Sequence, residues 1–179
     1  MSYSPVMTRP RAAQTPSFSA REFRAALGMF ATGVTIVTTL SAEGLPIGLT
    51  ANSFNSVSLD PPLVLWSLKK NSANLDVFRR ASHFAINVLT SEQKELCFRF
   101  ASKVEGDRFD GVALDPSRFD LPLLAHSLAR FECSKHEELD AGDHVMFLGR
   151  VEDFCKGQGD ALIFSGGRIL DAAPAPLPN

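Results

Sequence analysis

Gly48-Leu49-Thr50-Ala51-Asn52-Ser53-Phe54-Asn55-Ser56-Val57-Ser58-Leu59-Asp60-Pro61-Pro62 is the stretch on which the reading of this chain turns. It carries no charge before Asp60 and is dense in small hydroxyl and amide side chains. Two structures suit that composition. One is an edge strand whose polar residues face water. The other is the lining of a site for a neutral planar heterocycle, which is held by backbone N–H and C=O groups, Ser/Thr hydroxyls and an amide at set positions. Composition alone leaves both open and leans to the first.

The surroundings place the stretch among strands. Upstream, Val34, Ile36, Thr38 and Leu40 alternate with Thr35, Val37 and Thr39, a period of two. Ala42-Glu43-Gly44 reads as a hairpin turn into a strand over 46–52. Asp60-Pro61-Pro62 is a rigid break, and Leu63-Val64-Leu65-Trp66-Ser67-Leu68 is an apolar run short enough for a buried strand. Further out, Ser19 and Glu22 form a capping box, with Phe18 and Phe23 placed for a hydrophobic staple. Phe23, Ala26, Leu27 and Phe30 then share one helical face, and Gly33 can end that helix.

Downstream, 71–80 reads as a short helix and 83–89 as a strand. Thr90 with Gln93 opens a second helix to about Ser102. The span 106–122 is loop-rich, and strands return over 127–133, 144–154 and 161–165. Strands outnumber helices and short turns join neighbours, so the expected fold is mainly β: an antiparallel barrel with peripheral α-helices.

The 179 residues suggest one domain, expected over 18–171, with a mobile tail at 1–17 and a Pro-rich tail at 172–179. A net charge of −2 with scattered Lys and Arg gives no nucleic-acid footprint, and no apolar run is long enough to span a bilayer. Cys97, Cys133 and Cys155 are odd in number and far apart, which fits a reducing, cytoplasmic setting. There is no G-x-G-x-x-G after a strand, no P-loop, no G-x-S-x-G and no metal-ligand spacing among the four histidines. His136-Glu137-Glu138 reads as a solvated strand end, and the fourteen phenylalanines as core.

Several segments together resemble one family. They are the quoted stretch, Gly33-Val34-Thr35-Ile36-Val37-Thr38 before it, Gly142-Asp143-His144, Gly149-Arg150-Val151, and Ala161-Leu162-Ile163-Phe164-Ser165-Gly166-Gly167-Arg168. In that order and spacing they are similar to the flavin reductases with the FMN-binding split β-barrel fold, across 23–170. The resemblance implies an oxidoreductase that reduces FMN or FAD with NADH or NADPH and supplies reduced flavin to a separate monooxygenase. It also implies a homodimer with the flavin site near the subunit interface.

By the same resemblance Thr50, Ala51, Asn52 and Ser53 line the isoalloxazine edge, and Ser56 and Ser58 belong to that motif. Ser67, Leu68, Lys69, Ser72 and Asn74 hold the ribityl and phosphate end. Lys69 and Lys70 suit a phosphate, since an ammonium neutralises an anionic oxygen; Arg79 and Arg80 are expected nearby. His144 is the candidate catalytic residue, positioning the nicotinamide. The loop Glu105-Gly106-Asp107-Arg108-Phe109 resembles a feature near the flavin face, where Phe109 either covers the ring or packs the loop. Hydride transfer needs no acid or base residue and no metal. Three other classes fit parts of the pattern: a non-catalytic flavin carrier, a split-barrel oxidase of a small metabolite, and a β-barrel interaction module without cofactor.

Overall fold

The alternation that starts at Val34 becomes a strand next to one edge of a seven-stranded antiparallel sheet in the computed structural model, which describes residues 17–102 and 106–171. The elements run α1 (Ala20–Leu27), β1 (Thr32–Gly33), β2 (Thr35–Leu40), β3 (Pro46–Ala51), β4 (Asn55–Leu59), β5 (Pro62–Lys69), α2 (Leu75–Arg80) and β6 (His83–Val88). A 3-10 turn (Ser91–Gln93) leads into α3 (Lys94–Ala101). Then follow β7 (Leu114–Asp115), β8 (Leu123–Leu124), β9 (Ala129–Ala141), β10 (His144–Lys156), β11 (Leu162–Ser165) and β12 (Arg168–Asp171).

The large sheet has the order β3-β2-β6-β9-β10-β5-β4, and every pairing in it is antiparallel. Its two edge strands, β3 and β4, are consecutive in the chain and joined by residues 52–54 alone. Laid flat, six strand spacings would separate those edges by roughly 29 Å. The link from Ala51 to Asn55 reaches roughly 14 Å when fully extended. The sheet must therefore curl until its edges meet, which makes a barrel split along one seam. The expected fold class is the observed one.

Two apolar clusters flank β2. Inside the barrel, Trp66 stacks on Phe147 at 4.9 Å and meets Phe78 edge-on at 4.9 Å, with Phe84 nearby. Outside it, Val34, Ile36, Leu89, Cys97, Phe100, Leu124 and Leu162 pack α3 and the small β1-β11-β12 sheet against the barrel. A Cβ at Gly149 would stand 2.5 Å from the Phe84 ring, so only glycine lets that ring lie against β10.

Several boundaries differ from the sequence reading. Helix α1 stops at Gly28, and Gly33 pairs with Ile163 in β1–β11, so Phe30 lies beyond the helix. Residues 55–59 are a true edge strand. Strand β9 runs on to Ala141, which puts His136, Glu137 and Glu138 in its exposed outer half. The segment 168–171 forms β12, turned back on β11 by Gly166 and Gly167 at φ +57 and +77. Within 106–122 there is the short strand β7, paired with β8. Of the expected tails, 1–17 and 172–179, all but Ser17 lie outside the described residues, as does Glu105. No helix among the described residues is long and apolar enough to cross a membrane.

Candidate active site

Where the seam of the barrel meets the end of α3, the protein has a cleft of about 880 Å³. One wall is the end of β3 with the first link residues: Thr50, Ala51, Asn52 and Ser53. The facing wall is the end of β5 and its turn: Ser67, Leu68, Lys69, Asn71 and Ser72. Phe100, Ala101, Ser102 and Arg108 flank it, and His144 closes the end. Residues predicted from three parts of the sequence, 50–53, 67–72 and His144, thus come together. Ser56 and Ser58 do not line the cleft; they sit on β4, paired with Val64 and Leu63. Asn74 lines a neighbouring depression beside Arg108 and Phe109.

The hydroxyls of the first wall are engaged inside the protein. Thr50 Oγ1 donates to the Cys97 carbonyl at 2.7 Å, and Thr35 Oγ1 donates to the Ala51 carbonyl at 2.7 Å. Ser53 Oγ donates to the Ser67 carbonyl at 3.1 Å and accepts from the Ser67 N–H at 2.9 Å. Asn52 is exposed, and its amide makes one long contact, 3.4 Å from Nδ2 to Thr32 Oγ1. Its amide can therefore turn to a ligand at little cost.

The cations divide. Lys69 lines the cleft, whereas Lys70 pairs with Asp140 at 3.3 Å. Arg79 lies between Glu138 and Asp140 at 3.7 and 3.4 Å, and Arg80 lines a separate depression with Glu43 and Asp76. The expectation that all four gather at one site is corrected: the acidic outer half of β9 draws Lys70 and Arg79 away. Arg108 joins Lys69 instead, with Nη2 donating to the Ser102 carbonyl at 2.7 Å. The sequence reading weighed only Phe109 in that loop. Phe109 packs edge-on against Phe100 at 4.9 Å and 80°.

His144 opens β10 opposite Lys69, placed there by the turn Gly142-Asp143 with Gly142 at φ +63. Its Nδ1 lies 2.8 Å from Asp143 Oδ1. That hydrogen bond, then the charge of the imidazole, holds the Asp143 carboxyl below its ordinary range. An ionised carboxylate only accepts, so Nδ1 carries the proton and Nε2 is the ring nitrogen left for a ligand.

The arrangement suits a flavin. The volume falls within the range of small-molecule sites, and the lining offers neutral polar groups together with two cations, Lys69 and Arg108, suited to a phosphate. No cluster of three or more His, Cys, Asp or Glu suited to a metal ion occurs among the described residues. A split barrel with such a seam cleft fits the class of flavin-using oxidoreductases.

Comparison with known proteins agrees. Residues 27–172 match the flavin reductase like domain, and the chain belongs to that family. It is 48% identical over 149 residues to the FMN reductase (NADH) SmoA of Agrobacterium fabrum, spanning 83% of this chain and 84% of that protein. It is 48% identical over 134 residues to the reductase component of the flavin-dependent trigonelline monooxygenase of Acinetobacter baylyi. That match spans 75% of this chain and 43% of the relative. Among solved structures, the NADH:FAD oxidoreductase SgcE6 of Streptomyces globisporus superposes with a TM-score of 0.83 at 36% identity. It covers 93% of this chain and 100% of SgcE6, which has also been solved with NAD and FAD fragments.

Proposed function

We propose that this chain is the reductase component of a two-component flavin-dependent monooxygenase system. It takes hydride from NADH to FMN, with FAD the second flavin it accepts, and releases reduced flavin to a separate oxygenase. The observation that carries the reading is the seam cleft, in which a neutral polar wall, two cations and a carboxylate-held histidine converge.

Bound flavin supplies the hydride acceptor, while the protein supplies position and exclusion of water. Asn52 offers the ring edge an amide free to reorient. Lys69 and Arg108 balance the phosphate. His144, fixed by Asp143, offers Nε2 to the nicotinamide carboxamide and holds that ring against the flavin. No proton needs to move through a side chain.

The same reading includes a homodimer with the cleft near its interface. Phe23, Leu27, Met29 and Phe30 are all more than half exposed. An apolar recess between them and Asn52 leads toward the cleft. An apolar surface of this kind marks an interaction site. A cytoplasmic setting is supported by three cysteines that form no disulfide.

The test is to mix purified protein with NADH or NADPH and FMN or FAD and to follow nicotinamide absorbance. Flavin-dependent oxidation is expected, fastest with NADH and FMN. No oxidation in any of the four combinations would overturn the reading.

A further inference from the structure

The two hydrogen bonds between Ser53 and Ser67 cross the seam where the sheet has no strand pair. Strand β4 pairs with β5 only as far as Asn55–Leu65, and Ser67 lies two residues further on. On its other side Ser67 is opposite Met146 of β10. In an antiparallel strand the N–H and C=O of one residue point the same way. Both of these Ser67 groups meet the single hydroxyl of Ser53, at 2.9 and 3.1 Å. One side chain therefore stands in for the missing strand partner.

That hydroxyl has one proton, which goes to the Ser67 carbonyl, so it has none to donate to a ligand. Yet Ser53 and Ser67 both line the cleft, where its β3 and β5 walls meet. We propose that Ser53 is a positioning residue: its hydroxyl closes the barrel seam at Ser67 and sets the separation of the two cleft walls, and the flavin is recognised by its neighbour Asn52. The inference rests on the reading that flavin occupies this cleft. It gives the polar stretch two kinds of work. The hydroxyls of Thr50 and Ser53 tie the wall to α3 and β5, and the Asn52 amide reads the ligand.

The experiment compares the full-length protein with Ser53→Ala, Ser53→Thr and Asn52→Ala. Amide hydrogen exchange at Ser67 is measured without flavin, and FMN affinity by titration. The Ser67 amide should be protected in the wild type, Ser53→Thr and Asn52→Ala, and exchange about tenfold faster in Ser53→Ala. FMN binding should weaken about tenfold in Ser53→Ala, the size expected for one lost hydrogen bond, and recover in Ser53→Thr. Asn52→Ala should weaken FMN while leaving Ser67 protected.

Weakened FMN binding in Ser53→Ala with Ser67 still protected would make Ser53 a direct ligand and overturn the inference. Unchanged FMN affinity with Ser67 freed would overturn it too. An unprotected Ser67 amide in the wild type does so without any variant, which covers the case in which Ser53→Ala fails to fold. A wild type that protects Ser67 but binds no flavin overturns the functional reading itself, and the positioning role with it.

Discussion

Helices α1 and α3 are each eight residues long, and a Ser/Thr capping box marks the approach to both. In α1, Ser19 Oγ accepts from the Glu22 N–H at 3.2 Å, and Glu22 Oε2 accepts from the Ser19 N–H at 2.8 Å. Phe18 packs on Phe23 at 5.3 Å. Before α3, the Thr90 N–H donates to Gln93 Oε1 at 3.2 Å, and Gln93 Nε2 also donates to the Ala125 carbonyl at 2.8 Å. Their tertiary fates are opposite. Helix α3 buries Cys97 and Phe100 and forms a flank of the cleft, whereas α1 buries no residue at all. Helices this short are marginal alone, so packing must hold α3, and the apolar face of α1 calls for a cover outside its own fold. Amphipathic sequence specifies that a face is to be buried; it does not say against what.

That contrast is sharpest at the aromatic residues. Phe100→Ala should cost about 3–5 kcal/mol in urea unfolding, because the ring is buried and leaves a cavity under the cleft wall. Phe23→Asp combined with Leu27→Asp should leave the fold of the single chain in place and abolish association in sedimentation. If the wild type sediments as a single chain at every concentration, a second copy is not what covers α1.

The caps offer a smaller test. Ser19→Ala and Thr90→Ala should each cost about 1 kcal/mol at the helix they serve. Hydrogen exchange should show the loss as fraying confined to α1 for Ser19→Ala. For Thr90→Ala the loss should spread to the cleft side of the barrel, since α3 is packed into it. Equal, local effects would erase the distinction between the helices.

The smallest effects come with pH, and the two helices should respond with opposite sign. The Ser19 hydrogen bonds hold the Glu22 carboxyl below its usual range. This contribution to α1 is present above the unfolded carboxyl pKa and is lost as pH falls through the folded one. Burial pushes the Cys97 thiol of α3 up. Its contribution is present below the unfolded thiol pKa and is lost as pH rises toward the folded one. Amide protection in α1, taken relative to the intrinsic exchange rate at each pH, should therefore fall on acidification, less so in Ser19→Ala. Unfolding free energy should fall on going alkaline, less steeply in Cys97→Ala.

Much of the fold was legible locally. Both capping boxes, the hairpin at 42–44 and the buried run ending at Leu68 sit where hydrophobic period and turn chemistry put them. Strand β12 was not, because four residues between a glycine turn and a Pro-rich end carry too little period to read. Nor was the outer half of β9, where polar residues on both faces leave no alternation. At the site, resemblance supplied the candidate residues. It set Ser56 and Ser58 apart from the ring-edge residues but did not separate the cleft residue Lys69 from Asn74, nor did the residues themselves. Arg108 is not legible as a cleft residue, because nothing near it in sequence marks the carbonyls of Gly48 and Ser102 to which it donates.

The sequence by itself determined the elements, their caps and turns, and a neutral polar stretch at residues 50–53, because these depend on neighbours within a few residues. Only the tertiary structure decided that the sheet's edges meet, that Ser53 reaches Ser67, and that Lys70 turns to Asp140 while Lys69 stays at the cleft. Those outcomes depend on groups brought together by the curl of the barrel, and distance along the chain carries no record of them.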